Sequence, residues 1–296
     1  MDASKCQAVL IASETGSFSA AAEQLNYTQS GITRMISSLE EELEFSLFIR
    51  SKKGVRLSEN GKLMLPYFRE IVESSQIAQE MSDDIKGVVR GSITIACYFS
   101  VSSMWMPRLL KVFSESYPNI QIKLLEGGNK EIAKWLAEKS VDICLCAKPQ
   151  DKTDYSWEEL YRDPLLVWLP KNHPKARQVQ YEMKDLEAEE FIHTLPGQDT
   201  DQDRLIEQEG LNLKTRFTTK DGFTTYQLVK AGLGVSFNQA MIAQDWKEDV
   251  VQLPLNPPRF VSLGLALPKQ KPTSPAVQRF LKCMEEEFSG LLKTTP

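Results

Sequence analysis

Residues Ser17 to Glu40 read SFSAAAEQLNYTQSGITRMISSLE, two helical patterns separated by a short break, and no other stretch restricts the fold as tightly. The first pattern starts near Phe18 and Ser19 and ends at Leu25, with Ala21, Ala22 and Leu25 offering a surface on which another helix can close in. Asn26 stands where the chain must turn sharply, and asparagine is the non-glycine residue that best tolerates a left-handed backbone. Thr28 can then accept a backbone hydrogen bond as the N-cap of a second helix, from Gln29 to about Leu43. Ile32, Ile36, Leu39 and Leu43 step by four, three and four, so they form one buried stripe. At about 100° per residue, Ser30, Thr33, Arg34 and Ser37 fall together on the opposite side, with Gln29 flanking the first turn.

A short hydrogen-bonding face at the front of a second helix is what a helix-turn-helix inserts into the major groove. Gln and Arg can each make two bonds to a base edge, and Ser and Thr reach phosphates or base edges. Glu40, Glu41, Glu42 and Glu44 follow, and their repulsion from phosphate confines the contact to the front of the helix. Taken alone, the stretch also fits a helical hairpin with a solvated polar face. The next segment, RSKKGVRL from Arg50 to Leu57, favours the first reading: four cations, no acid and Gly54 at the turn make a short basic hairpin. Its cations would release counterions on meeting a phosphate backbone, although a solvated basic loop has the same composition.

The whole chain carries 35 Lys and Arg against 40 Asp and Glu, a formal charge of -5, so any case for nucleic acid rests on local features. Its 296 residues, 42% of them hydrophobic, suffice for about two or three compact units. No apolar run reaches the roughly 18 residues of a membrane span, and the N-terminus lacks a basic head followed by an apolar core. A cytoplasmic protein without a membrane partner is expected. Cys6, Cys97, Cys144, Cys146 and Cys283 lack the spacing of a disulfide framework, and His173 and His193 are the only imidazoles. Buried reduced thiols, with no metal and no cofactor, are the expectation.

In their order and spacing, GSFSAAAEQL, TQSGITRMISSLEEEL, LFIR and GVRLSENG resemble the N-terminal winged helix of the LysR-type transcriptional regulators. The resemblance implies double-stranded promoter DNA as partner, contacted by Thr28, Gln29, Ser30, Thr33 and Arg34 on the recognition helix and by Arg50, Lys53 and Arg56 around the wing. Glu44 stands where the family often has glycine, and Val9 and Cys6 where it has an aromatic residue or leucine. Ser58 then reads as the N-cap of a long helix with Glu59 in its first turn. Met64, Phe68, Ile71, Ser75, Ala78, Ser82 and Ile85 form a partly polar heptad seam, with Pro66 expected to bend the first turns. This resembles the family's linker helix and implies a homodimer or homotetramer; packing within its own chain is the alternative.

From Gly91 the texture changes. GSITIACYF, IQIKLLEGG and VDICLCA read as strands, with helices near Met104 to Tyr117 and Asn129 to Glu138, so a parallel sheet covered on both faces is expected. Around PLLVWLPKNHP the chain should cross into a second unit holding FIHTLPG, a helix near Thr200 to Glu209, FTTKDGF and TYQLVKAGLGVSF. VSLGLALPK should cross back so that AVQRFLKCMEEEF rejoins the first unit. The expected organisation is an α+β multidomain chain: a winged helix-turn-helix at 1–58, a linker helix at 59–90 and a two-lobed α/β effector domain at 91–296. Lobe I covers about 91–163 and 267–296, and lobe II about 164–266. YPNI, VDI, NHP and KAGLGVS carry the resemblance through this half, which is similar to a periplasmic binding protein.

By position, the resemblance implies effector contacts from Phe99, Ser100, Asn129, Thr194, Leu195, Asp221, Phe223 and Phe237. Ser100, Ser102 and Ser103 open a helix whose free amides could hold an anion, or they simply cap it. Many relatives bind carboxylates, so an acidic metabolite is the expected effector. Gln239 stands where many relatives have proline, and His193 reads as a strand residue rather than a pH switch. There is no GxSxG elbow, P-loop, HExxH or full Rossmann fingerprint, and no enzyme is expected. The sequence thus points to a sequence-specific regulator that responds to a small molecule, with RNA polymerase as a candidate partner. A small-molecule-binding protein and a two-lobed enzyme with an appended helical domain are the alternatives.

Overall fold

A computed structural model describes residues 1–51, 54–150, 155–244, 246, 249–269 and 272–291. It divides into two compact units, Met1–Arg90 with Pro272–Pro275, and Gly91–Lys271 with Ala276–Pro296.

The first unit begins with α1 (Ala3–Thr15), α2 (Phe18–Gln24) and α3 (Gln29–Leu43). Each start is capped by the residue its sequence provides. Asp2 accepts from the Lys5 amide at 2.9 Å, Ser17 from Ala20 at 3.4 Å and Thr28 from Gly31 at 3.1 Å. Asn26 adopts φ 56°, the left-handed turn expected between α2 and α3. Ile32, Ile36 and Leu39 of α3 bury against Cys6, Ala8, Val9 and Ala12 of α1 and Ala21 and Ala22 of α2, with Leu43 half-buried at the margin. Small side chains on α1 and α2 permit that close approach.

Helix α3 ends at Glu44, whose φ of 62° is a left-handed C-cap. A side chain in that conformation is strained by about 1 kcal/mol relative to glycine. Glu44→Gly should therefore stabilise the unit by about that amount, measured as a higher midpoint in urea denaturation.

The wing is a hairpin of β1 (Phe48–Ser51) and β2 (Gly54–Leu57), paired from Phe48↔Leu57 to Ser51↔Gly54. It is anchored by the Val55 amide donating to the Gly16 carbonyl at 2.9 Å. At Gly54, φ is 123° and a Cβ would stand 2.6 Å from the Gly16 oxygen, so the turn demands glycine. Helix α4 (Glu59–Ile85) follows, with Ser58 as N-cap, and its 27 residues, Pro66 among them, span about 40 Å. Its first half departs from the expected seam. Phe68 is fully buried in the core of this unit, and Met64 and Ile71 pack against it, so these three serve the domain rather than a free face. The stripe left exposed runs through Leu63 (71% exposed), Tyr67 (61%) and Met81, with Ile85 (81%) at its flank.

The second unit opens with β3 (Gly91–Cys97), α5 (Phe99–Met104), α6 (Met106–Ser116), β4 (Ile120–Glu126), α7 (Asn129–Ala137) and β5 (Ile143–Ala147). Strands β4, β3 and β5 are parallel, as alternating strands and helices require. Strand β6 (Tyr155–Pro170) then changes the architecture. Further on come β7 (Tyr181–Glu182), β8 (Glu190–Thr194), α8 (Asp201–Glu209), β9 (Lys214–Thr219), α9 (Gly222–Lys230), β10 (Ser236–Gln239), β11 (Val250–Asn256), β12 (Phe260–Pro268) and α10 (Pro275–Leu291). An eight-stranded sheet runs in the order β4-β3-β5-β12-β6-β11-β7, with β10 also paired to β6.

Strands β6 and β12 lie antiparallel, from Tyr155↔Pro268 to Pro164↔Phe260. Beyond Pro164, β6 leaves β12 and pairs with β10 and β11, which begins lobe II. The parallel pair β8-β9 joins that lobe through the Ile192 amide donating to Val235 and the Val235 amide to Glu190. Helix α10 returns to lobe I, where Phe280 meets Phe113 of α6 with ring centroids 5.1 Å apart, and Arg108 pairs with Glu287 at 2.9 Å.

Candidate DNA interface and interlobe junction

In the first unit, the front of α3 carries Thr28, Gln29, Ser30 and Arg34 exposed and Thr33 half-exposed. The Thr28 hydroxyl caps the helix and lies 3.1 Å from that of Ser30, so these two are held in place by the helix start. Among the described residues, no side chain occupies the Gln29 amide or the Arg34 guanidinium. Two of the acids behind this face are engaged within the fold. Glu40 Oε1 accepts from the Leu47 and Phe48 amides at 2.6 and 3.1 Å, tying α3 to the wing, and Glu42 pairs with the Met1 amino group.

Within the hairpin register, Arg50 shares a side with Phe48 and Val55, and Arg56 shares the other side with Ile49. The Arg50 guanidinium stacks over the Phe18 ring at 5.4 Å, and Phe18 in turn meets Phe48 edge-on at 5.3 Å. The two arginines thus leave opposite faces of the ribbon. Lys53 lies outside the described residues.

In the second unit, the expected effector residues do not form one set. Phe237 is fully buried beside Phe191, with ring centroids 5.5 Å apart, and belongs to the core of lobe II. Asp221 is the N-cap of α9, accepting from Thr224 N at 2.7 Å and Thr224 Oγ1 at 2.8 Å. Phe223 is exposed and stacks edge-on against Trp246 at 5.2 Å. The Thr194 hydroxyl is taken into a chain with Thr225 (2.7 Å) and Thr219 (2.5 Å). The Ser102 hydroxyl bonds the Glu126 carboxylate and the Phe99 carbonyl, and Ser103 bonds Phe99 O at 2.8 Å. Glu126 thus sets a carboxylate against Ser102 in the six-residue α5.

Other residues of the set do meet at the junction. Asn129 of α7 is buried and donates to the Asp199 carbonyl, and the neighbouring Lys130 donates to Gly197 O at 2.7 Å, so lobe I grips the 195–199 loop of lobe II. Leu195, at φ 48°, opens that loop, and Gly197 and Asp199 share its left-handed conformation. Phe99 is half exposed and Ser100 buried at the start of α5, which packs on the turn Ala240–Ala243 of lobe II. Sequence reasoning missed Tyr98, Asp199, Asp201 and Arg204. Arg204 holds Asp199 in a fork of 2.8 and 2.7 Å, and Gln239 Nε2 donates to Asp201 Oδ2 at 2.7 Å. The visible signals were the charge cluster DTDQDR at a helix start and the departure from proline at Gln239.

Where β6 crosses between lobes, Asp163 is fully buried and accepts from the Met241 amide at 3.2 Å. Burial pushes its carboxyl up to about 7 from 3.8. The folded protein therefore keeps a proton that the unfolded chain releases: the stabilisation is complete below about pH 4 and is lost as pH rises through about 7. Asp163→Asn keeps an oxygen for Met241 N and lacks this titration. Relative to wild type, it should gain about 2–3 kcal/mol of stability between pH 5 and pH 8 in urea denaturation.

None of the five cysteines is in a disulfide; four are buried, and burial pushes Cys97 and Cys146 up to about 12. Among the described residues, no group of three or more His, Cys, Asp or Glu could hold a metal ion, and no helix is long and apolar enough to cross a membrane.

Residues 4–62 match the family described as bacterial regulatory helix-turn-helix protein, lysR family, and residues 86–289 match the LysR substrate binding domain. The HTH-type transcriptional regulator YvbU of Bacillus subtilis (strain 168) is 30% identical over 280 residues, 94% of this chain and 95% of that one. In structure the chain is similar to a full-length OxyR variant from Pseudomonas aeruginosa, with TM-score 0.77 and 19% identity over 96% of this chain and 95% of that one. It is also similar to full-length CbnR complexed with its target DNA, with TM-score 0.66 and 20% identity over 97% of this chain and 99% of that one.

Proposed function

This chain belongs to the LysR family, DNA-binding transcriptional regulators with an effector-binding domain, and from that membership we propose how its residues do the work. Two copies pair along α4 and present two α3 helices to successive turns of promoter DNA. Gln29 and Arg34 read base edges, Thr28, Ser30 and Thr33 fix the helix on the duplex, and Arg50, Lys53 and Arg56 meet the phosphate backbone. The observation that carries this reading is the unoccupied polar front of α3 beside a cationic hairpin, in a chain of net charge -5 that has no general attraction for DNA. Pairing is supported by the exposed stripe of α4, where Tyr67, Ser74 and Met81 step by seven.

A small molecule held between the lobes shifts the assembly between two states that differ in affinity for it, and transcription by RNA polymerase is the readout. The reaction site is the cytoplasmic promoter, and the interlobe junction binds rather than transforms its ligand. Footprinting the DNA upstream of the chain's own gene tests the scheme. Two protected half-sites, centred about one or more helical turns of 34 Å apart, are expected. Uniform cleavage at every protein concentration would refute it.

A further inference from the structure

Three buried polar atoms at the interlobe junction have no partner among the described residues: the Tyr98 hydroxyl, Ser100 Oγ and Gln239 Oε1. Their residues are 7%, 1% and 3% exposed. Leaving a buried polar group unmet is costly, so three gathered at one junction call for a ligand. They do lie together. Tyr98 and Ser100 flank the start of α5, Gln239 immediately precedes the Ala240–Ala243 turn on which α5 packs, and the Tyr98 phenol lies in the field of Asp201, Arg204 and Asp199.

The Gln239 amide turns its Nε2 to Asp201, which leaves Oε1 as an acceptor without a partner among the described residues. The charged groups around it are also arranged against an anion. The Nε and Nη2 donors of Arg204 are committed to Asp199, and Lys130 to the Gly197 carbonyl. Asp201 adds the carboxylate bonded to Gln239, and Glu126 stands on Ser102 at the other side of α5. Directly beside Gln239, a carboxylate would meet the Oε1 acceptor and the Asp201 carboxylate.

We propose that the junction takes a small molecule by an N–H-bearing end, a carboxamide or an amine, which donates to Gln239 Oε1 and is flanked by the Tyr98 and Ser100 hydroxyls, and that Gln239 sets this preference against carboxylates. The proposal rests on the effector reading above and departs from the acidic metabolite expected by resemblance. A ring attached to that end could lie on the half-exposed Phe99 beside the site.

The test is titration of the full chain with benzamide, benzylamine and benzoate, which share a ring and differ in the group that would be buried, followed by saturation-transfer NMR. Benzamide or benzylamine should bind at least about tenfold more tightly than benzoate, and Gln239→Met should remove about tenfold of that affinity. Tyr98→Phe, which leaves the Gln239–Asp201 bond intact, should weaken the same ligands by about threefold or more. Both variants are checked for folding of the second unit by urea denaturation. Benzoate binding as tightly as benzamide, or amide binding unchanged in Gln239→Met, overturns the proposal. Silence from all three probes, in protein that still binds its DNA, counts instead against the effector reading beneath it.

Discussion

Replacing Arg34 by alanine is expected to weaken binding to the operator by about 10- to 100-fold and to leave binding to random DNA within about twofold. Arg34 is exposed on the front of α3 with no partner among the described residues, so its removal leaves no buried charge behind. Alanine is the best helix former, and the helix itself should be unaffected. The loss falls on base readout because a guanidinium offers two donors to one guanine edge, whereas random DNA is held by phosphate contacts. Arg56→Ala is the contrasting case. It should weaken both DNAs alike and reduce the slope of log affinity against log salt by about 0.9. Equal losses on operator and random DNA for Arg34→Ala would remove it from base readout.

Phe68→Ala should cost the first unit about 3–5 kcal/mol in urea denaturation, because it empties a fully buried position of the winged-helix core. Tyr67→Ser, on the next residue of the same helix, should leave that stability within about 0.5 kcal/mol, since the side chain is already 61% exposed. Its expected effect is on association: sedimentation should show a weaker dimer. If Tyr67→Ser and Phe68→Ala instead destabilise the unit equally, α4 does not divide its faces between core and partner as described.

That division also shows where sequence reasoning stopped. A period of 3.5 finds two apolar stripes on α4 that differ by one residue, Met64-Phe68-Ile71 and Leu63-Tyr67-Met81, and periodicity alone cannot say which one the preceding domain covers. The turn from α2 into α3 was legible to the residue, since Asn26, Thr28 and the Ile32–Leu39 stripe act through local backbone chemistry. The left-handed Glu44 was visible only as a departure from glycine. The strands and helices of the second unit were readable from their alternation, and its crossings from where that alternation broke.

The interlobe residues were not readable in the same way. Phe237 and Gln239 share one face of β10 and are both buried, and which face of that strand is covered depends on pairing with β6, a strand some 70 residues earlier. Arg204 and Asp199 find each other locally, but their meeting with Tyr98 and Asn129 depends on how β6 and β12 set the lobes. Long-range registration of this kind leaves no periodic trace in the sequence.

The central claim is that a chain of net charge -5 binds DNA through one cationic, base-reading face. Its most direct test is the affinity of the wild-type protein for upstream DNA and for random DNA of equal length, measured by anisotropy across a salt series. Both affinities should fall steeply with salt, and upstream DNA should bind about a thousandfold or more tightly at physiological salt. Equal affinity for the two DNAs, or binding indifferent to salt, would contradict the account.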